Sequence, residues 1–167
     1  KLYKKAVELA KIGANDVVFD AYCGIGTIGQ VAARTTKFKK LIGVEIEPKA
    51  VSDAEVNAKI NGIENAQYFA ADAGVFMQKM KEKPDVVFMD PPRAGASSAF
   101  LNKLCKCAPK RIVYVSCNPD TLARDCKALK KAGYKIEKIQ PFDLFPFTTH
   151  VECVVCLTRI GVFIREV

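Results

Sequence analysis

The 167-residue chain has no apolar run of 18 or more residues, so no segment reads as a membrane-spanning helix. It also lacks a charged-then-apolar leader with a small-residue cleavage site, the mark of a secretory signal; a cytoplasmic location is the expectation. Histidine occurs once, and the seven cysteines are an odd number in a chain long enough to do without staples. A reduced compartment is therefore expected rather than a disulfide framework. Internal repeats, low-complexity tracts and Pro/Gly-rich linkers are missing, which leaves one domain as the default. At this length, with half of its residues hydrophobic, about two-thirds of the unfolded surface can be buried. Acidic residues are in deficit, 18 against 26 basic for a net charge of +8. That favours a polyanionic partner such as nucleic acid without deciding for one.

What is present is an alternation of short apolar runs with amphipathic ones, the rhythm of a layered βα fold. The predicted strands are 16–20, 40–46, 66–72, 85–90, 111–116, 134–143 and 150–159, and the predicted helices include 27–35, 48–61, 73–81, 97–107 and 119–132. A further helix is expected at the very start of the chain. Pro48 opens the helix at 48–61 and "NG" closes it. Only "LFPFTT" separates the last two strands, too little for the crossover that a parallel pair needs, so they should pair antiparallel. Five βα units followed by such a pair resemble the seven-stranded, mostly parallel Rossmann-like α/β sheet of S-adenosylmethionine-dependent methyltransferases, with the last strand antiparallel.

"FDAYCGIGTIG" places Gly24, Gly26 and Gly29 between a strand and a helix, where a tight turn lets backbone approach a ligand. Glu45 ends the next strand, where a carboxylate can accept both hydroxyls of a ribose. Glycines and an acid fit NAD as well as S-adenosylmethionine. Asp20 discriminates, because Asp-Ala-Tyr-Cys intervenes before the first glycine and an acid suits the cationic methionine end of S-adenosylmethionine better than a pyrophosphate. Asp72 is a candidate for the adenine amino group or, equally, an N-cap for 73–81. Tyr22 either packs on the cofactor or fills its own loop.

"FMDPPRAG" ends the fourth strand, at the mouth of the sheet where open α/β folds bind ligands. Its two prolines stiffen the loop and aim Asp90 into the site. Arg93 stands where amine methyltransferases often carry an aromatic residue after Pro-Pro, which argues for a different acceptor atom. In "IVYVSCNPDTLARD", Cys117 ends the fifth strand just before a helix that starts at Pro119. A helix N-terminus favours thiolate, so Cys117 is a candidate nucleophile rather than a small apolar filler. Glu152, an acid near the start of an apolar strand, is the candidate base. His150 orients or packs against the same loop. Cys153 and Cys156 should face opposite sides of a strand, Cys105 and Cys107 diverge on a helix, and Cys23 packs; with one histidine, no metal site is expected.

Taken together, "DAYCGIGT", "GVEIEPKAV", "MDPPRAG", "VSCNPDTLARD" and "FPFTTHVE" resemble the RNA 5-methyluridine (uracil-C5) methyltransferase family over nearly the whole chain. The resemblance implies S-adenosylmethionine as cofactor and RNA, ribosomal RNA first and transfer RNA otherwise, as substrate. It implies Cys117 as the nucleophile that adds to C6 of uracil and Glu152 as the base that takes the C5 proton. Tyr22, Glu45 and Asp90 match positions lining the cofactor pocket, joined by Gly24, Gly26, Thr27 and Asp72. Phe147 departs from the histidine that many members carry. The family also has an upstream RNA-binding portion, so residues 1–167 are expected to be the catalytic domain of a longer protein. The alternatives are a cytosine-C5 methyltransferase, against which stands the lack of any Pro-Cys pair, and a non-catalytic RNA-binding relative.

Overall fold

A computed structural model describes residues 1–148 and 150–161. The elements follow in the order α1 (Leu2–Ala10), β1 (Val17–Ala21), α2 (Thr27–Thr35), β2 (Lys40–Glu45), α3 (Pro48–Ile60), β3 (Ala66–Ala70), α4 (Ala73–Lys79), β4 (Val86–Met89), α5 (Ser98–Cys107), β5 (Arg111–Ser116), α6 (Pro119–Lys131), β6 (Tyr134–Phe142) and β7 (Glu152–Arg159). Helix starts are set by short polar side chains that accept from otherwise unpaired backbone N–H groups. Asp72 caps α4 through Val75 N at 2.9 Å, Ser97 caps α5 through Phe100 N at 3.1 Å, and Asn118 caps α6 through Asp120 N at 3.1 Å. Pro48 and Pro119 occupy first-turn positions where no N–H is missed.

The seven strands form one sheet in the order β3-β2-β1-β4-β5-β7-β6. β1 to β5 pair in parallel, and β7 runs antiparallel to both β5 and β6. Strands β1 and β4 are buried along their whole length, as expected for a sheet covered on both faces. Alternate residues feed two cores. Phe19, Met89, Tyr114, Phe100 and Leu129 belong to one, while Val18, Phe88, Val113, Leu41 and Ala6 belong to the other. Cys153 and Cys156 fall into different cores, which places them on opposite faces as the strand period requires. None of the described helices is long and apolar enough to cross a membrane.

One register decides where chemistry can occur. Ser116 of β5 lies opposite Cys153 of β7. Because the pair is antiparallel, the residue after Ser116 and the residue before Cys153 lie at the same edge of the sheet, Glu152 still paired there with Phe142 of β6. Cys117 and Glu152 are thereby neighbours, 35 positions apart in the chain, beside the ends of β1, β2 and β4.

Candidate active site

Cys117, Glu152 and Asp90 line one cavity of about 510 Å³, with Lys1 at the cap of the first helix, Leu2, Tyr3 and Lys4 within that helix, and Val31, Val115 and Leu144 completing its walls. Cys117 and Glu152 are each half-buried, reachable yet shielded. Asp90 has its carboxyl pushed up to about 6, first by burial and then by the neighbouring Glu152. Tyr3 lies against the same acids: burial, then Asp90, Glu152 and Asp20, push its hydroxyl up.

On the β1–β2 side the turn is shaped by residues with left-handed backbone: Tyr22 at φ 60°, Gly24 at 53° and Gly26 at 83°. Gly24 N donates to Glu45 Oε2 at 3.1 Å, while Glu45 Oε1 accepts from Ile46 N at 2.7 Å and Glu47 N at 3.1 Å. A carboxylate fixed this way by its own backbone is preorganised at the strand end. Asp20 is almost wholly buried; its Oδ2 accepts from Gly29 N at 2.9 Å, and its Oδ1 has no partner among the described residues. Burial first, and Asp90 further, push that carboxyl up to about 7 against the hydrogen bond from Gly29. An orphaned buried oxygen beside a second strained acid fits a ligand that brings a positive charge. A Cβ on Gly24 would meet nothing within 4 Å, so there is open room at the turn.

Two of the expected residues also serve the fold, and a third lines a different groove. Asp72 does cap α4, and Tyr22 packs edge-on to Phe100 with centroids 5.3 Å apart, so the structural alternative for each is realised. Tyr22 still faces Asp72, which after burial pushes its hydroxyl up to about 12. Thr27 lies elsewhere, in a groove of about 400 Å³ with Gln30, Arg34, Asn57 and Asn61. Cys23 is buried with its thiol pushed up, chiefly by that burial, which suits packing. No cluster of three or more metal-ligating side chains occurs among the described residues. His150 Nδ1 takes a hydrogen bond from Arg93 Nη1 at 3.3 Å, and its ring stands edge-on to Phe145. Phe147 is fully exposed with φ 66°; Thr149 lies outside the described residues.

A second set of residues escaped the sequence reading. Asp125 on α6, 1% exposed, accepts from Ala96 N and Tyr114 Oη at 2.8 Å on one oxygen and from Arg124 Nε at 2.8 Å on the other. Arg124 Nη2 donates onward to Ala94 O at 3.0 Å and Ala96 O at 3.2 Å. Arg93 O accepts from Asn118 Nδ2 at 3.1 Å and Thr121 Oγ1 at 3.2 Å. Gly95, at φ 79°, leaves no room for a Cβ, which would sit 2.5 Å from Arg124 Nη2 and 2.8 Å from Asp125 Oδ2. The whole loop after Asp90 is thus bolted to the helix that follows Cys117. The available signal was an acid on the buried face of α6, spaced with Leu122, Cys126 and Leu129.

A family model for tRNA (uracil-5-)-methyltransferase matches residues 1–160. The chain belongs to that family. An uncharacterized RNA methyltransferase of Oceanobacillus iheyensis is 50% identical over 160 residues, covering 94% of this chain and 34% of the relative. One from Bacillus cereus is 49% identical over 162 residues, covering 95% and 35%. The crystal structure of Pyrococcus abyssi tRNA (uracil-54, C5)-methyltransferase in complex with S-adenosyl-L-homocysteine superposes with a TM-score of 0.80 at 34% identity, covering 94% of this chain and 37% of that one. Precorrin-6y C5,15-methyltransferase from Geobacter metallireducens, at 15% identity and a TM-score of 0.78, shares the fold alone. The chain spans about a third of the length of the family members it matches.

Proposed function

We propose that this chain is the catalytic domain of an enzyme that methylates C5 of uracil in RNA, using S-adenosylmethionine. The observation that carries the reading is the single cavity shared by a thiol, Cys117, and two carboxylates, Glu152 and Asp90. A cytoplasmic location and an RNA partner accord with it, as do the net charge of +8 and the absence of any disulfide among the described cysteines.

Asp20, Tyr22, Gly24, Gly26, Glu45, Asp72 and Asp90 would hold the cofactor, with Thr27 next to them in sequence. The unpaired Asp20 oxygen and Asp90 answer its positive charge, and Glu45 answers its ribose hydroxyls. Bound there, S-adenosylmethionine supplies an electrophilic methyl group. Uracil C5 is a weak nucleophile, and the role of Cys117 is to change that. Its thiolate adds to C6 and pushes the ring electrons toward C5. Once C5 carries its new substituent, Glu152 removes the C5 proton, and the returning electron pair expels the Cys117 thiolate. Because Cys117 and Glu152 line the same cavity at one edge of the sheet, one bound ring can meet both. The base must leave its stack to reach them, at about a few kcal/mol.

The two residues act at different steps, so their variants should fail differently. With full-length protein, S-adenosylmethionine and a mixture of transfer and ribosomal RNA, Glu152→Gln should accumulate a methylated protein–RNA adduct that survives denaturation. Cys117→Ala should form none, nor should the double variant. Sequencing the trapped RNA identifies which class and which uridine is used. An adduct persisting in Cys117→Ala would refute the assigned nucleophile.

A further inference from the structure

The loop from Asp90 to Ala96 is held at its backbone by Asn118, Thr121, Arg124 and Asp125, yet it exposes one cation. Arg93 is exposed, and it makes no salt bridge among the described residues. The side-chain hydrogen bond found for it among those residues is the one to His150 Nδ1. That bond uses one of five guanidinium donors and requires His150 Nδ1 to be the unprotonated acceptor. Through its carbonyl Arg93 is fastened to Asn118, next to Cys117. Through its side chain it reaches His150, two residues before Glu152. It therefore links the segment that follows Cys117 to the segment that precedes Glu152.

The geometry points to Arg93 as a binding site for a backbone phosphate flanking the target nucleotide, an inference that rests on the RNA reading above. Inside the cavity Asp90 and Glu152 are set against Lys1 and Lys4, so its lining carries no surplus cation for a polyanion. The exposed Arg93 on the loop that follows Asp90 supplies one. Guanidinium suits the task because its planar fork matches two phosphate oxygens. The pinned backbone means that little loop freedom is lost when RNA binds. His150 supports the guanidinium from one side and leaves the other donors free.

The test uses full-length protein and a short RNA containing the modified uridine, with affinity measured across a range of salt. Arg93→Ala should weaken RNA binding about tenfold at fixed salt, and the slope of log affinity against log salt should flatten by about 0.7 to 0.9, the value for one phosphate contact. S-adenosylmethionine affinity should be unchanged, which also shows that the variant is folded. Arg93→Lys should keep the slope and lose part of the affinity. An RNA with a neutral methylphosphonate on the 5′ or 3′ side of the uridine should bind wild type less well, and Arg93→Ala should not notice the change on one of those sides. Equal losses in both proteins on both sides, or an unaltered salt slope, would overturn the assignment, as would a parallel loss of cofactor affinity. RNA that wild type binds with this salt behaviour but never methylates would sink the uracil reading and leave the phosphate contact standing.

Discussion

On the β1–β2 side of the site, carboxylates hold backbone that is mostly close in the chain: Asp72 to Val75, Asp20 to Gly29, Glu45 to Ile46 and Glu47, with one longer reach of 21 residues from Glu45 to Gly24. On the β4–β5–β7 side the bonds cross 25 residues between Asn118 and Arg93, 29 between Ala96 and Asp125, and 57 between Arg93 and His150. The two sides also differ in what is left unsatisfied. The first keeps a buried oxygen without a partner on Asp20. The second closes on Asp125, whose two oxygens take three hydrogen bonds. One side is a cradle that retains an unsatisfied buried oxygen, and such a site gains from a ligand. The other is a satisfied clamp, and such networks specify position. Substitutions on the first should move ligand affinity and pH dependence, and substitutions on the second should move stability and alignment.

The largest effect is expected from Asp125→Ala. It leaves Ala96 N and Tyr114 Oη buried without their acceptor and should cost about 3 to 5 kcal/mol in stability, read by urea unfolding. A loss below about 1 kcal/mol would mean that the clamp is not what holds the loop.

Asp20→Asn should act in the opposite direction. The Asp20 carboxyl keeps its proton up to about pH 7 in the fold, against a usual value of 3.8. The native state therefore binds the extra proton between those limits, and ligand-free stability falls as pH rises through them. Removing the charge should stabilise the empty protein by on the order of 2 to 4 kcal/mol above pH 7, with the gain fading toward pH 4. Cofactor affinity should fall at the same time. A pH-independent difference would show that Asp20 is not held this way.

Glu45→Ala should weaken S-adenosylmethionine binding by about 1 to 3 kcal/mol, measured by calorimetry. Adduct formation on saturated enzyme should be nearly unaffected. Thr121→Val removes one hydrogen bond to Arg93 O and should cost about 0.5 to 1.5 kcal/mol. If Thr121→Val altered cofactor affinity more than Glu45→Ala did, the division between the two sides would not hold.

Element by element, the structure stays close to what periodicity and caps indicate. α2 spans 27–35 and β5 spans 111–116 as expected. β1 shifts by one residue to 17–21, and elsewhere ends shorten where a residue serves as a cap or leaves the ladder. Ser97 caps α5 rather than joining it, and Asp72 caps α4 rather than ending β3. β7 begins at Glu152 rather than at residue 150, because His150 turns outward to Arg93 and Val151 lies outside the ladder. Site residues were visible where a motif states them locally, as in the glycine turn, Asp90 after its strand, and Cys117 before its helix. Asp125 and Arg124 were not, since their partners at 94–96 and at Tyr114 become neighbours only on folding. Tyr3, Lys1 and Lys4 were missed for the same reason: nothing in the first helix announces that it walls the cavity of Cys117.

The amino-acid sequence by itself determined the order of strands and helices and the antiparallel pairing of the last two strands, and it named Cys117 and Glu152 as the candidate reacting groups. These depend on backbone propensity, capping and hydrophobic period, all set within a few neighbouring residues. Only the tertiary structure decided that β7 inserts between β5 and β6, bringing Glu152 to the end of the strand that carries Cys117. It also decided that Asp20 is buried with one oxygen unpaired, and that Arg93 stands braced between two loops. Those outcomes depend on which sheet edge accepts the last hairpin and on which side chains meet across the closed core, contacts whose sequence separation hides them from any local reading.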